Sequence, residues 1–242
     1  MEWPVTLPDE VKRAFLANPL DPRIWFNLGA LAHNDGDGPA AMRGFRRALI
    51  CEPAFAPAHG HLTVLVAKSA GPVAALNLAG RLAKAAPVSA QNRALVTQYL
   101  FEIGEDARVG TAGRASLVLD PTPAGLYRLM ALSASRLQEM SEAARFLRRA
   151  LMLRPDWTAA RLALAGAWFA LEDFQAVLRE LDAALRHEAD TAEAALLRGR
   201  ALVALDRRDD AEQSFNTAIR IDPDRRFEVE MARRTMDASL FG

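Results

Sequence analysis

The 242-residue sequence has little of what disulfide-bonded, membrane-spanning or secreted proteins contain. Its single cysteine, Cys51, cannot form an internal disulfide, which excludes a disulfide-stapled fold and is compatible with a reducing cytosol. No run approaches about 18 uninterrupted apolar residues, so we expect no membrane span. The first residues, Met1-Glu2-Trp3-Pro4, do not form a basic segment followed by an apolar one. No signal peptide is therefore predicted, and a cytoplasmic protein is expected.

An excess of charge of either sign is also missing. The chain has 30 basic and 30 acidic residues, which argues against a general nucleic-acid binder. Lysine occurs only at Lys12, Lys68 and Lys84, and we interpret the preference for arginine as a bacterial, GC-rich coding bias. Aromatic residues make up only 7%, whereas apolar residues make up 51% and include many alanines and leucines, which favour helix.

Motifs typical of catalysis or of metal binding are absent as well. Phosphate-binding loops, zinc-protease helices and nucleophile elbows do not occur. The four histidines are His33, His59, His61 and His187, and a zinc site needs roughly three or four converging ligands. We interpret these histidines as groove or surface residues, and Cys51 as a thiol without a placed base. We therefore expect no enzyme activity, no metal and no cofactor.

What the sequence does contain is a period of 34 residues. Because proline lacks an N–H and clashes with the preceding turn, a helix should end at the same point of every repeat. The period predicts six repeats, at residues 22–55, 56–89, 90–123, 124–157, 158–191 and 192–225. The prolines in phase, with Ala189 in the one vacant place, are Pro19, Pro53, Pro87, Pro121, Pro155 and Pro223.

Within each repeat, the pattern predicts two antiparallel helices. Small residues recur at the eighth and twentieth places, as at Gly29 and Ala41, and let two helices approach closely. Apolar residues between them follow the i, i+3, i+4 spacing of an amphipathic helix. Turn-forming residues such as Gly71-Pro72 interrupt each repeat near its middle. Each helix should therefore have roughly 12–14 residues.

This pattern resembles the tetratricopeptide repeat (TPR). In the second and third repeats, Ala79 and Gly113 replace the family's bulky Phe, and Ser116 replaces an Ala. The resemblance covers about residues 19–225 and implies an all-α, right-handed α-solenoid of six helix-turn-helix repeats. The first repeat matches best, through Trp25, Leu28, Gly29, Ala41, Phe45, Ala48 and Pro53.

Both ends of the array are predicted to carry an extra helix. Residues 8–17 would form a half-repeat within segment 1–21, and a capping helix within residues 226–242 would begin near Arg225. We expect Phe227 and Met231 on the inner side of that last helix. The alternative is that both ends are frayed helices without a capping role.

The third repeat is predicted to be the softest part of the array. It combines Gly110, Gly113 and Ser116 in its second helix and lacks the bulky core residue there. Glycine costs about 1 kcal/mol relative to alanine inside a helix.

The family resemblance implies that the first helix of each repeat lines a concave face. Arginine and aromatic residues are the usual hot spots of protein interfaces, so this face is predicted to bind a peptide with acidic and apolar side chains. The alternative is that the arginines are solvated or paired with neighbouring carboxylates. The predicted lining residues are Arg23, Phe26, Asn27, His33, His61, Lys68, Gln98, Phe101, Arg128, Leu132, Arg136, Phe169 and Arg200.

Three functions are compatible with this pattern. The first is an adaptor or scaffold that binds a protein or peptide, with neither nucleic acid nor membrane as a partner. The second is an accessory or substrate-recognition subunit of an enzyme system, such as the glycosyl- or sulfotransferases that carry such arrays in resembling proteins. The third is a self-assembling scaffold, and hence a homo-oligomer.

Overall fold

The computed structural model describes residue 13, residues 16–185 and residues 191–238, and these residues form α-helices without a β-strand. The all-α prediction is confirmed. The predicted half-repeat at residues 8–17 lies outside the described residues, apart from residues 13, 16 and 17. The helices are α1 (Pro22–Asn34), α2 (Gly38–Cys51), α3 (Ala56–Ala85), α4 (Ala90–Glu102), α5 (Asp106–Leu117), α6 (Ala124–Arg136), α7 (Met140–Leu153), α8 (Thr158–Ala170), α9 (Phe174–Leu185), α10 (Ala192–Ala204), α11 (Arg208–Ile221) and α12 (Arg226–Ala238), with a 3₁₀ turn at Pro223–Arg225.

The chain divides into two compact units, Met1–Thr122 and Pro123–Gly242. The N-terminal unit contains α1–α5, and the C-terminal unit contains α6–α12. In each unit, the first and second helix of every repeat pack against each other, as α1 does on α2 and α10 on α11. Helices begin at residues 22, 56, 90, 124, 158 and 192, which are the first residues of the six sequence repeats.

Side-chain caps fix the starts of several helices. Asp21 accepts a hydrogen bond from the backbone N–H of Arg23 at the start of α1, and Asp37 accepts one from Ala40 at the start of α2. Ser89 caps α4 in the same way. Such caps satisfy backbone donors that have no partner within the helix.

The turn between the two helices of a repeat uses a left-handed residue at the fifteenth place. The residues found there have φ between 55° and 80° and are Gly36, Gly104, Gln138, Glu172 and Asp206. Only glycine adopts this conformation without steric cost. The second repeat differs, because Gly71 at the sixteenth place has φ 84° and ψ 168° and interrupts α3.

This interruption decides how α3 is interpreted. By length and composition alone, α3 is long and apolar enough to cross a membrane. It is the single helix of this kind among the described residues. Leu62 and Val66 before Gly71 line the same cleft as Ala74 and Leu78 after it, so the two parts fold back on each other. Each part is shorter than the about 20 residues of a membrane span.

Glycines at the eighth place allow the two helices of a repeat to touch. A Cβ atom added at Gly29 would lie 2.9 Å from the ring of Phe45, and one at Gly199 would lie closer still to Phe215. Both phenylalanines are fully buried. The predicted close approach of the paired helices is thus present in the first and sixth repeats.

In the first, second, third and fifth repeats, the side chain at the fourth place donates a hydrogen bond to the carbonyl of the proline six residues earlier. This contact joins the end of one repeat to the first helix of the next. Three different residue types provide the nitrogen. The pairs are Trp25–Pro19 (2.8 Å), His59–Pro53 (2.8 Å), Arg93–Pro87 (3.1 Å) and Arg161–Pro155 (2.8 Å).

Helix α12 packs on the end of the C-terminal unit through Val229 and Ala232, which are both buried. Arg233 forms an ion pair with Glu212 of α11. The prediction that Phe227 lies on the inner side is wrong, because that side chain is 75% exposed. Phe227 lies two residues from Val229 and therefore points to a different side of the helix. Met231 is 45% exposed.

Candidate partner-binding surfaces

The first helices of the fifth and sixth repeats form an open cleft of about 540 Å³ within the C-terminal unit. Its lining comes from the second, fifth, sixth and ninth places of these repeats. These are places that the family resemblance assigns to the concave face. They are occupied by Ala159, Leu162, Ala163 and Gly166 from α8, and by Glu193, Leu196, Leu197 and Arg200 from α10.

Arg200 is the available cation of this cleft, which is named the inner cleft from here on. Arg225 also lines the inner cleft but bonds Glu228 at 3.3 Å and approaches Asp222 at 3.5 Å. Arg200 is exposed, and no described residue forms an ion pair or hydrogen bond with it. Its guanidinium can therefore donate hydrogen bonds to a carboxylate from outside the chain.

A second, mostly apolar cleft of about 460 Å³ adjoins Arg200. Phe169 of α8, Val203 of α10 and Met231 of α12 line it. The ring of Phe169 also packs edge-on against Phe174, with ring centroids 5.4 Å apart. Arg200 thus lines both clefts, which suits a ligand with a carboxylate next to an apolar side chain.

In the N-terminal unit, the structure brings two of the predicted lining residues together. The rings of Phe26 on α1 and His61 on α3 lie 5.3 Å apart. Phe45 and Phe55 complete this aromatic cluster, at 5.4 Å and 5.7 Å from Phe26. Arg23, Asn27 and Lys68 are exposed on the same two helices, and His33 is half-buried.

Other predicted lining residues are engaged within the chain. The amide nitrogen of Gln98 donates to Glu102 at 2.9 Å, while Phe101 on the same helix is half-buried. The guanidinium of Arg128 lies over the ring of Trp157 at 5.5 Å, and its buried Nε has no hydrogen-bond partner among the described residues. The charge of Arg128 is therefore used in packing. On the same helix as Arg128, Leu132 is half-buried and Arg136 is exposed.

His59 contradicts the interpretation of the histidines as groove or surface residues. It is completely buried, and its Nδ1 lies 2.7 Å from Oδ1 of Asn92. Asn92 in turn donates to the carbonyl of Leu82 at 3.1 Å. The sequence contains one indication that His59 is buried. His59 occupies the fourth place of its repeat, which Trp25 occupies in the first repeat.

Among the described residues, Tyr99 and Asp120 have shifted pKa values. Burial raises the pKa of the Tyr99 hydroxyl above its ordinary value of 10.0, and the negative charge of Glu102 adds to the shift. Hydrogen bonds from the hydroxyl and the backbone N–H of Thr122 lower the pKa of Asp120. Neither group lies in a cluster of metal ligands, because the described part of the chain contains no group of three or more such side chains.

The comparisons with known proteins agree with the fold. Residues 192–225, the sixth repeat, match the family model of the tetratricopeptide repeat. No curated protein matches the chain. The match shows that the sixth repeat is a tetratricopeptide repeat, and the solved structures described next show that the chain has the fold of TPR solenoids.

Solved structures of other TPR-like proteins are similar over most of the chain. PilF of Pseudomonas aeruginosa is 18% identical, with a TM-score of 0.68 over 84% of this chain and 92% of that chain. MamA from Desulfovibrio magneticus RS-1 is 15% identical, with a TM-score of 0.64 over 71% of this chain and 97% of that chain. YrrB, a TPR protein with an unusual peptide-binding site, is 14% identical, with a TM-score of 0.60 over 76% and 95%.

Proposed function

We propose that this protein is an interaction scaffold that binds a segment of a partner protein on the first helices of its repeats. The observation that carries the proposal is the inner cleft, where the lining places of the fifth and sixth repeats meet at the exposed Arg200. The fold alone does not define a function, so the argument depends on these side chains.

The two clefts that meet at Arg200 define the chemistry of the bound segment. A guanidinium binds a carboxylate through two parallel hydrogen bonds. The apolar cleft of Phe169, Val203 and Met231 can then bury an aliphatic or aromatic side chain of the same segment. The partner segment should therefore place an acidic residue next to a large apolar one.

The aromatic cluster of the N-terminal unit supports the same class of function. Phe26 and His61 occupy predicted lining places, and the exposed Arg23, Asn27 and Lys68 lie on the helices that carry them. Aromatic rings with nearby cations are typical of protein interfaces. YrrB, which shares the fold, has a peptide-binding site, and this is consistent with a peptide-binding role here.

The test is affinity capture from the native host with the full-length protein, followed by quantitative mass spectrometry. Arg200→Glu is expected to reduce partner recovery about tenfold, because it opposes the acidic segment. The matched control is Arg179→Glu, which makes the same charge change at an exposed position on α9 outside both clefts. Arg128 is unsuitable for this test because its guanidinium packs on Trp157.

The possible outcomes separate the candidate functions. Equal recovery of partners by wild type and Arg200→Glu would contradict binding at the inner cleft. Light scattering tests self-assembly. A molar mass that rises with protein concentration, and that does not change when a partner is added, would favour it. Circular dichroism spectra and melting curves of the variants establish that folding is retained.

A further inference from the structure

A third cleft lies between the second helices of the first two repeats, away from the places that line the concave face. It has a volume of about 480 Å³ and is called the outer cleft below. α2 and the second part of α3 form its walls, and the first part of α3 contributes to its floor. Its apolar lining includes Leu49, Leu62, Val66 and Leu78.

Two arginines also line the outer cleft. Arg46 belongs to α2 and Arg81 to α3, and both are exposed. The described residues provide neither of them with an ion pair or a hydrogen bond. Arg47, the next residue along α2, differs because its guanidinium lies 5.4 Å from the ring of Trp25. Ile50 adds a side chain that is 68% exposed.

The chain around the outer cleft is nearly devoid of acidic residues. Between residues 38 and 101, the only carboxylate side chain is that of Glu52, whereas seven residues are Arg or Lys. The whole protein is neutral, so this stretch has an excess of positive charge that the rest of the chain balances. No neighbouring carboxylate on α2 or α3 is present to neutralise Arg46 and Arg81.

We propose that the outer cleft is a second binding site, which takes an acidic segment of a partner protein. A large aliphatic or aromatic side chain of the segment packs against Leu49, Leu62, Val66 and Leu78. Carboxylates on either side of it bind Arg46 and Arg81. Charge complementarity identifies the occupant, because the site combines two unpaired guanidinium groups with a region that lacks carboxylates.

The apolar lining favours a protein segment over a polyanion or an anionic membrane. A phosphate backbone has no apolar group for a cleft whose floor includes the buried Leu62. A flat membrane surface cannot reach that floor, whereas a single side chain can. The two arginines then act as charged rims of an apolar pocket, as at the hot spots of protein interfaces.

The site can be tested with a random peptide library displayed on phage and panned against the full-length protein. Arg46→Glu/Arg81→Glu serves as the counter-selection target. We expect enriched peptides to carry a large apolar residue flanked by Asp or Glu. Their affinity, measured by fluorescence anisotropy, should fall about tenfold or more for the double variant.

A matched variant distinguishes a local site from general attraction. Arg43→Glu/Lys84→Glu changes the same amount of charge on the same two helices, at exposed residues that do not line the outer cleft. Affinity should change by less than about twofold in this control, since exposed charges at a distance are screened by salt. Arg200→Glu should also leave the affinity unchanged, which separates this site from the inner cleft.

Three results would overturn the proposal. One is a library in which no peptide distinguishes wild type from Arg46→Glu/Arg81→Glu. The second is equal weakening by Arg43→Glu/Lys84→Glu. The third is tighter binding of phosphatidylserine vesicles or of a DNA oligonucleotide, with the same dependence on Arg46 and Arg81. Thermal melting of each variant shows whether a loss of affinity accompanies a loss of folding, and only folded variants are compared.

Discussion

The indole Nε1 of Trp25 donates a hydrogen bond of 2.8 Å to the backbone carbonyl of Pro19, six residues earlier in the chain. The same carbonyl position is bonded by a histidine in the second repeat and by an arginine in the third and fifth. An unsatisfied backbone carbonyl costs free energy when it is buried, and a side-chain donor at the fourth place prevents this. The first, second, third and fifth repeats share this hydrogen bond, although they differ in the side chain that makes it.

The second repeat offers the sharpest test of this contact. His59→Leu removes the ring nitrogens that lie 2.8 Å from the carbonyl oxygen of Pro53 and 2.7 Å from the buried Oδ1 of Asn92. We expect the free energy of unfolding in urea to fall by about 1–3 kcal/mol, which is the usual cost of an unsatisfied buried group.

A double-mutant cycle with Asn92→Leu isolates the contact between the two side chains. The two substitutions together should cost less than the sum of the single ones, because each removes the group that the other leaves unpaired. Additive losses, or a loss below about 0.5 kcal/mol in His59→Leu, would show that the histidine fills space without supporting the junction.

The close contact of Gly199 with Phe215 gives a second prediction. A Cβ at residue 199 would overlap a ring that is completely buried, so Gly199→Ala should destabilise the protein by about 1–3 kcal/mol. Gly166→Ala is the control in the same unit, because nothing lies within 4 Å of its added Cβ. That substitution should stabilise the protein by about 0.5–1 kcal/mol through helix propensity. Thermal or urea unfolding measures both, and equal effects would contradict the packing argument.

The sequence was sufficient to predict the fold because its period marks each helix end. The in-phase prolines and the small residues at the eighth place are local signals, and the helices begin at the predicted residues 56, 90 and 192. Contacts that depend on long side chains were not predictable in the same way. Whether Arg128 faces solvent or stacks on Trp157 depends on packing between two residues that are 29 positions apart in the chain.

The buried His59 and the exposed Phe227 show the same limit. Hydrophobicity alone predicts a buried phenylalanine and an exposed histidine. The burial of both residues is instead set by their positions on their helices. His59 replaces the tryptophan of the first repeat, and its two ring nitrogens contact Pro53 and Asn92. Phe227 follows the 3₁₀ turn at Pro223–Arg225, which fixes Val229 and Ala232 as the buried residues of α12. The outer cleft is not predicted by the family resemblance, because that resemblance assigns binding to the first helices of the repeats.

The left-handed turns provide a third prediction. Glu172 has φ 60°, a conformation that costs a residue with a Cβ about 1–2 kcal/mol. Glu172→Gly should therefore raise the free energy of unfolding by about 0.5–1 kcal/mol, after the entropy that glycine loses on folding is subtracted. Gln175→Gly, at an exposed helical position three residues later, should instead lower it by about 1 kcal/mol. A loss of stability in Glu172→Gly would refute the strain argument.

The buried tyrosine of the third repeat leads to a prediction about pH. The pKa of Tyr99 is raised above 10.0, first by burial and then by the charge of Glu102. The neutral phenol is favoured in the folded state, so its contribution to stability is complete below the unfolded pKa. That contribution is lost as the pH rises through the folded pKa.

Absorbance titration of the tyrosinate can measure this shift. The chain has two tyrosines, so Tyr127→Phe leaves Tyr99 as the only one that titrates. We expect its midpoint above 10.0 in Tyr127→Phe and closer to that value when Glu102→Gln is added. A midpoint at or below 10.0 in the folded protein would show that water reaches the hydroxyl.

Helix α5 of the third repeat should open more readily than its neighbours. Its core-facing positions include Val109 and the buried Gly113, where the family has a bulky phenylalanine. Ser116 faces inward and bonds the carbonyl of Ala90 at 3.0 Å, which replaces apolar contact with a single polar one.

Hydrogen–deuterium exchange followed by mass spectrometry tests this difference in opening. Amides of α5 should exchange about tenfold faster than those of α2, whose Phe45 is completely buried. Gly110→Ala should slow the exchange of α5, because it adds helix propensity and its Cβ would meet only the flexible end of Arg114, at 3.4 Å. If α2 and α5 exchange at the same rate, or if Gly110→Ala has no effect on α5, then the small residues of this helix do not set its stability. Its opening would then follow that of the whole N-terminal unit.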